Sequence, residues 1–184
     1  MYLENGDFMR KKLEEILNKM NDINYGFIDN NKNIYPDDLD DFDKSFGKLY
    51  YLQSPEELMK SKYGVCWDQV ELERYYLEKE NIKFKSYFII AYDNMQEPTH
   101  TFIVIDDDNK YYWIEHSWQI HKGIHEYRLL DELLNDVKNK FEISIHNENI
   151  GKYEISIFEY LKPKYHINCI EFMNHCENGK KYKI

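Results

Sequence analysis

The chain has 184 residues, and 42% of them are hydrophobic, so it carries enough apolar side chains to bury a sizeable core and is not disordered. Its formal net charge of −10 argues against a nucleic-acid backbone as the main partner, because contacts to phosphates need a basic face. No stretch approaches the roughly 20 apolar residues of a membrane-spanning helix, so we expect no membrane partner either.

The first residues and the cysteines indicate the cellular compartment of the protein. The stretch from Met1 to Asp7 lacks the basic and apolar regions of a signal peptide. Cys66, Cys169 and Cys176 are an odd and sparse set, which fits a reducing compartment better than a disulfide framework. We therefore expect a cytoplasmic protein whose 184 residues form one domain, and the sequence leaves its oligomeric state open.

Helical signals fill the first part of the chain. The segment Ser54-Pro55-Glu56-Glu57 combines a capping serine, a proline suited to the first helical position and the glutamate of a capping box. Gly64 then breaks the chain before a further helix. The expected helices are Asp7–Met20, a short one from Pro55 to about Lys60, and Cys66–Lys79. A loop-rich stretch from residue 21 to about residue 49 separates the first two.

The helix that starts at Cys66 is amphipathic in sequence. Apolar residues such as Val70 predict one buried side. The residues expected to give the same helix a polar surface are Glu71, Glu73, Arg74 and Glu78.

From Lys83 onward the pattern is typical of strands, with turn chemistry at Asp106-Asp107-Asp108-Asn109. The expected strands are Phe84–Tyr92, Thr99–Ile105, Tyr111–Trp118, Gly123–Arg128 and Tyr153–Tyr160, and the expected helices are Leu129–Phe141 and about Asn168–Glu177. Helices followed by a mostly antiparallel sheet predict an α+β fold. We divide it into a helical part of about 1–62, a core of about 63–160 and a closing helix of about 165–178.

Cys66 stands at the predicted start of a helix. There the helix dipole and the unpaired backbone N–H groups favour a thiolate. The same N–H groups are suited to hold an oxyanion on an attacked carbonyl. The simpler interpretation of a lone cysteine is a small buried apolar residue.

His100 changes that balance, because a thiolate nucleophile needs a base or an imidazolium partner, and histidine serves both roles near neutral pH. It lies in Pro98-Thr99-His100-Thr101-Phe102, at the start of a predicted strand. On its own it would be an ordinary residue at a strand end.

The hairpin after His100 selects the third member of a catalytic triad. With the turn centred on Asp107-Asp108, Glu115 lies directly opposite His100, with Cβ atoms about 5 Å apart. His116 then points to the other face. A turn centred on Asp108-Asn109 instead sets Ser117 opposite His100 and leaves Glu115 on the same face, whereas a slip of one residue would move Glu115 to the wrong face.

These residues resemble the core of the transglutaminase-like superfamily. The resemblance lies in Gly64-Val65-Cys66-Trp67-Asp68, His100-Thr101-Phe102 and Trp113-Ile114-Glu115-His116-Ser117-Trp118, and it covers about Tyr63–Trp118. It implies a papain-like arrangement, in which a helix carrying the nucleophilic cysteine packs on a mostly antiparallel sheet whose adjacent strands carry the histidine and the acid. The usual acid is an aspartate in Asp-Pro-Thr, and Glu115-His116-Ser117 stands in its place here.

The resemblance also suggests residues around the triad. Papain-like enzymes place a glutamine upstream of the nucleophile as an oxyanion donor, and Gln53 precedes Cys66 by thirteen positions. A surface or capping role is the alternative for Gln53. Trp67 and Trp118 are candidates for the walls of a substrate groove, although tryptophan is more often part of a core.

Two clusters of potential metal ligands compete with this interpretation, and neither has the spacing of a structural zinc site. Surface histidines and core thiols explain them more simply, so we expect no metal and no other cofactor. The clusters are His116, His121 and His125, and Cys169, His175 and Cys176.

The sequence thus predicts a cysteine-dependent enzyme of acyl transfer that hydrolyses or transfers at an amide or peptide bond. Its residues would be Cys66, His100 and Glu115, and the resemblance favours a peptide or protein substrate. The alternative is a catalytically inactive interaction module that keeps the transglutaminase-like fold, since some members of the superfamily have lost activity.

Overall fold

The computed structural model describes residues 5–92, 97–108, 110–147 and 154–183. The helices are α1 (Asn5–Asn18), α2 (Phe42–Leu49), α3 (Pro55–Ser61), α4 (Cys66–Lys79), α5 (Leu130–Asn147) and α6 (Cys169–Glu177). The strands are β1 (Gly26–Ile28), β2 (Ile34–Pro36), β3 (Phe84–Tyr92), β4 (Thr99–Asp107), β5 (Lys110–Glu115), β6 (Gly123–Tyr127), β7 (Glu154–Tyr160) and β8 (Lys180–Tyr182). A short 3-10 helix, Gln119–His121, connects β5 to β6.

A six-stranded sheet organises the chain. Its strand order is β6-β5-β4-β3-β7-β8, and every neighbouring pair is antiparallel. A separate two-stranded ribbon is formed by β1 and β2. This confirms the predicted α+β class, with most helices before the sheet and a closing helix, α6, near the end.

The two faces of the sheet pack into different clusters, because side chains alternate along a strand. On one face, residues such as Ile103 and Ile114 join Val70 and Leu77 of α4. On the other face, the main contributors from the sheet and from α5 are Tyr87, Ile89, Phe102, Val104, Trp113, Leu133, Leu134 and Val137. Helix α4 therefore lies against one side of the sheet and α5 against the other.

The local signals for helix starts are confirmed. Ser54 Oγ accepts from the Glu57 backbone N–H at 3.3 Å, and Glu57 Oε2 accepts from the Ser54 backbone N–H at 3.0 Å, which completes the capping box of α3. Asn168 and Glu171 form the same box before α6. Helix α4 has the predicted bounds.

Several element ends differ from the prediction. Strand β4 runs two residues further than expected, β5 ends at Glu115 rather than Trp118, and α5 continues past Phe141 to Asn147. The predicted strand start at Tyr153 lies outside the described residues.

The stretch expected to be loop-rich contains regular structure. Strands β1 and β2 pair through three residues each, and α2 follows them. Gly26 has φ of 148°, and a Cβ there would lie 2.7 Å from the Tyr35 carbonyl oxygen. Strands of three residues are too short to give a periodic pattern, which is why the sequence did not reveal this ribbon.

The hairpin between β4 and β5 has the second of the two turns considered. Asp107 pairs with Lys110 and Ile103 pairs with Ile114, so the turn is centred one residue later than our first choice. Asp108 adopts φ of 51°, a left-handed conformation that tight hairpin turns require and that aspartate tolerates. The expected direct pairing of His100 with Glu115 is therefore wrong.

The prediction of a polar surface on α4 is wrong for three of its four residues. Glu78 is exposed, but Glu71, Glu73 and Arg74 are buried, because α4 is covered by the sheet and by the neighbouring helices. Arg74 Nε donates to Glu71 Oε2 at 3.0 Å, and its Nη2 donates to Ser86 Oγ on β3 at 2.8 Å. Burial raises the pKa of Glu71 to about 7 even though Arg74 opposes the shift.

We expect Arg74→Ala to lower the free energy of unfolding by about 3–5 kcal/mol, because it leaves the buried Glu71 carboxylate without its partner. Urea unfolding at pH 8, where Glu71 is largely ionised, measures this loss. Glu78→Gln removes an exposed carboxylate of the same helix that pairs with Lys162 and should cost less than about 1 kcal/mol. Equal effects of the two substitutions would contradict a structural role for the buried pair.

Candidate active site

Cys66 is the first residue of α4 and is only 4% exposed. The preceding peptide is held from both sides: Val65 N–H donates to Asp68 Oδ2 at 3.0 Å, and the Gly64 carbonyl accepts from Gln69 Nε2 at 2.8 Å. A Cβ on Gly64 would lie 2.6 Å from Leu58 Cδ1 and 2.9 Å from Asp68 Cβ, so a larger residue would displace these buried side chains. These contacts fix the start of α4 and therefore the position of Cys66.

Asp68 anchors this region from inside α4. Besides Val65, its carboxylate accepts from the Gln53 backbone N–H at 2.9 Å and from the Tyr50 hydroxyl at 3.2 Å. Burial raises the pKa of Asp68 to about 7, although these hydrogen bonds oppose the shift. The acid at the helix start therefore ties the segment before α3 to the residues that precede Cys66.

His100 and Glu115 meet in the interior. His100 Nε2 and Glu115 Oε2 are 2.7 Å apart, and both side chains are almost completely buried. The other carboxylate oxygen of Glu115 accepts from Ser117 Oγ at 3.0 Å and from the Trp118 backbone N–H at 2.8 Å. These contacts fix the Glu115 carboxylate, which meets the imidazole at Nε2 and not at Nδ1.

The contact between His100 and Glu115 is diagonal. The register that pairs Ile103 with Ile114 places Ser117 opposite His100 when it is continued to the start of β4, so Glu115 lies two positions away on the same face. Diagonal neighbours are about 7–8 Å apart at Cα, within reach of a long side chain. Glutamate, one methylene longer than aspartate, spans this separation.

The electrostatics favour a charged pair. Burial disfavours the imidazolium, but the Glu115 carboxylate and a hydrogen-bonding contact with the Cys66 side chain raise the pKa of His100 to about 10. Burial likewise opposes ionisation of Glu115, yet His100 holds the pKa of this carboxyl below its usual value. At neutral pH the site therefore holds an imidazolium between a carboxylate and the Cys66 sulfur.

Glu73 lies behind this pair. It follows Cys66 by seven positions on α4, so the two residues share one face of the helix. Burial, and then the charge of Glu115, raise the pKa of Glu73 well above its usual range. The neutral form of Glu73 is therefore favoured, in contrast to Glu115, whose carboxylate is stabilised by His100.

Two clefts meet at these residues. One, of about 290 Å³, is lined by His100, Ser117 and Trp118 among others. The other, of about 190 Å³, is lined by Cys66 and Trp67. Tyr25, Pro98 and Thr99 line both clefts, so the cleft at the sulfur and the cleft at the imidazole are adjacent.

The two candidate wall residues have different positions. Trp118 is partly exposed, and its ring centroid lies 5.0 Å from that of His100. Trp67 is 2% exposed and stacks on Phe172 at 4.4 Å, so it belongs mainly to the core and borders the cleft with a small fraction of its surface.

Gln53 lies close to the loop between α3 and α4, which leads into Cys66, but its side chain bonds to that loop and not to the clefts. Its Nε2 donates to the Tyr63 carbonyl at 2.8 Å, and its Oε1 accepts from Ser61 Oγ at 2.8 Å. Gln53 is 1% exposed, and none of the described clefts at Cys66 includes it. These bonds hold the loop between α3 and α4.

His116 is buried and takes part in a different network. Lys122 Nζ donates to His116 Nε2 at 3.0 Å, so Nδ1 carries the proton and donates to Gln69 Oε1 at 2.6 Å. Burial and the nearby Lys122 lower the pKa of His116 to about 4. No local pattern predicts this network, because Gln69 and His116 are 47 positions apart.

The other candidate ligands are dispersed as well. His125 Nε2 donates to the His121 carbonyl at 2.7 Å, and His175 Nε2 donates to the Leu161 carbonyl at 2.8 Å. Cys176 is part of the core. In the described ranges, no three His, Cys, Asp or Glu side chains are grouped to hold a metal ion.

Comparison with protein families gives a match that covers most of the chain. The model of a protein family described as a transglutaminase-like domain matches residues 6–146. No curated protein matches the chain. None of the helices in the described part of the chain is long and apolar enough to cross a membrane.

The pair of His100 and Glu115 should make stability depend on pH. The folded-state pKa of His100 is about 10, above the value of about 6.5 expected in the unfolded chain. Its contribution is fully present below pH 6.5 and is lost as pH rises through 10. We expect the difference in unfolding free energy between wild type and His100→Gln to shrink across this window.

Urea unfolding at several pH values, with NMR titration of the His100 ring, measures this effect. Glu115→Gln is the matched control, because it keeps a hydrogen-bonding side chain and removes the charge. A His100 ring that titrates near 6.5 in the wild type would contradict the charged pair.

Proposed function

Because this chain belongs to the transglutaminase-like domain family, we propose that it is a cysteine-dependent acyl-transfer enzyme acting on an amide or peptide bond. Cys66 is the nucleophile, His100 is the acid and base, and Glu115 orients and charges the imidazole. The observation that carries the proposal is the buried 2.7 Å contact of Glu115 with a histidine whose other side meets Cys66.

The acylation step uses the charged pair. The Cys66 thiolate attacks the carbonyl carbon, so a carbon–sulfur bond forms and the carbonyl electrons move to oxygen. When this tetrahedral intermediate collapses, the carbon–nitrogen bond breaks and His100 Nδ1 donates its proton to the departing amine. A thioester and a neutral imidazole remain.

The second step restores the enzyme. His100 takes a proton from water or from an acceptor amine as that nucleophile attacks the thioester carbon. The carbon–sulfur bond breaks, the thiolate leaves, and the imidazolium pairs with it again. Water gives hydrolysis and an amine gives transfer. The Glu115 carboxylate stays ionised throughout and stabilises the imidazolium.

Two features of the site suit this chemistry. The Cys66 backbone N–H belongs to the first turn of α4, where N–H groups have no partner inside the helix and are available to a developing oxyanion. Cys66 and His100 are 4% and 7% exposed, so little water competes for their charges. A peptide or protein substrate fits the two adjacent clefts.

The low exposure of Cys66 and His100 also suits a second candidate. A transglutaminase-like module that only binds a partner would keep these residues as part of its interior. The two functions differ in whether the sulfur is activated by its neighbours, which alkylation measures directly.

We expect iodoacetamide to alkylate Cys66 at pH 6 at least about tenfold faster than a free thiol, of which less than about 1% is ionised there. His100→Gln should remove this advantage, because the thiolate loses its cationic partner. Mass spectrometry identifies the modified cysteine, and Cys66→Ser is the control. Cys169 serves as an internal reference, because burial raises its pKa to about 11. A Cys66 rate that does not depend on His100 would contradict the activated thiol.

We further expect a panel of peptides and amides to give products with the wild type and none with Cys66→Ala. Glu115→Gln should lower kcat by about 10²- to 10⁴-fold, because the imidazolium loses its carboxylate. Product formation is followed by mass spectrometry with and without an added amine, which separates transfer from hydrolysis. Activated Cys66 with no Cys66-dependent product across the panel would favour the binding module.

A further inference from the structure

The chain segment before β1 is fixed against the nucleophile loop. The Asn24 backbone N–H donates to the Lys62 carbonyl at 2.8 Å, and the Gly64 backbone N–H donates to the Asn24 carbonyl at 3.1 Å. Asn24 and Tyr63 form an isolated parallel bridge. Tyr25, the next residue, is therefore held beside the loop that leads into Cys66.

Gly26 makes this arrangement possible. Its φ of 148° is in the region that favours glycine, and a Cβ would lie 3.0 Å from Tyr63 Cδ1 as well as 2.7 Å from the Tyr35 carbonyl oxygen. The absent side chain lets β1 pass close to the loop. Tyr25 in turn packs on Phe42 of α2, with ring centroids 6.4 Å apart.

The phenol of Tyr25 is a neighbour of Cys66. It interacts with the Cys66 side chain and with the Cys66 backbone N–H, and both residues line the smaller cleft. Tyr25 also lines the larger cleft. The phenol therefore lies at the point where the cleft meets the sulfur and the first N–H of α4.

That point is where an oxyanion would form in the proposed reaction. An attacked carbonyl lies beside the sulfur, and its oxygen needs two donors about 2.7–3.1 Å away. The Cys66 N–H supplies one, and Gln53 is engaged by Tyr63 and Ser61. Burial, followed by the nearby Cys66, raises the pKa of Tyr25 well above its usual value, so its hydroxyl retains a proton to donate.

We propose that Tyr25 is a further catalytic residue, whose hydroxyl and the Cys66 backbone N–H together bind the oxyanion of the tetrahedral intermediate. The incoming carbonyl oxygen takes the place at which the N–H and the phenol now meet, and it receives a hydrogen bond from each. This role rests on the proposed function of Cys66 as a nucleophile.

Tyr25→Phe removes the donor and keeps the ring, so it tests the role directly. With p-nitrophenyl acetate as the probe, we expect acylation of Cys66 to slow by about 10²-fold, the usual effect of losing one oxyanion donor. Alkylation by iodoacetamide should stay within about twofold of wild type, because attack on a saturated carbon develops no oxyanion. The two reactions use the same sulfur, so they separate oxyanion binding from activation of the thiol.

Tyr35→Phe is the matched control. It removes a hydroxyl from the same ribbon, where Tyr35 donates to Asp29 at 3.3 Å and stacks on Phe27 at 4.7 Å. Both reactions should retain wild-type rates in this variant. Thermal unfolding of all three proteins verifies that they are folded at the assay temperature.

Three results for Tyr25→Phe would overturn the role of Tyr25 alone. An equal loss of both reactions would indicate a positioning role, and faster acylation would indicate that Tyr25 blocks the thiol in the resting state. Unchanged rates of both reactions would show that the hydroxyl has no role in either. Each presupposes a wild type that is alkylated in a His100-dependent manner and acylated at Cys66. A wild type without either property overturns the proposed function, and the role of Tyr25 with it.

Discussion

The buried contact between His100 and Glu115 is the constraint on which the site depends. Two groups that are costly to remove from water are placed together inside the protein, and each is charged because the other is. Such a pair persists only when its carboxylate is held by further donors, which Ser117 and the Trp118 backbone supply. The sheet must therefore keep β4 and β5 in one register, since a slip of one residue would separate the pair.

Helix α4 brings the sulfur to this pair. It is buried over most of its length and contains acids that are unusual in a core. Asp68 accepts hydrogen bonds from three residues, and Glu71 pairs with Arg74. Burial raises the pKa of Glu73 and so favours its neutral form. The helix start is thus fixed, and the carboxylate in contact with His100 is that of Glu115 on β5.

Much of this was accessible from local patterns. The bounds of α4, the capping box of α3 and the strand character of β3 follow from residues adjacent in sequence, and the structure agrees with them. The resemblance around Cys66 indicated the family, which the match over residues 6–146 shows. The burial of Glu71, Glu73 and Arg74 was not accessible, because a polar helix face is buried only when other elements cover it.

The sequence alone was enough to predict the main helices, five of the six strands of the large sheet, and Cys66, His100 and Glu115 as the residues of the site, because helix caps, strand alternation and the cysteine and histidine motifs are local signals. How these residues meet depends on contacts between distant segments. The turn after Asp107 shifts the hairpin by one residue on each strand, so that Glu115 approaches His100 diagonally. The methylene that glutamate has in addition to aspartate spans this longer separation. The close approach of Gly26 to Tyr63 holds Tyr25 beside Cys66, 41 positions later, and no local pattern predicts a contact between segments that distant.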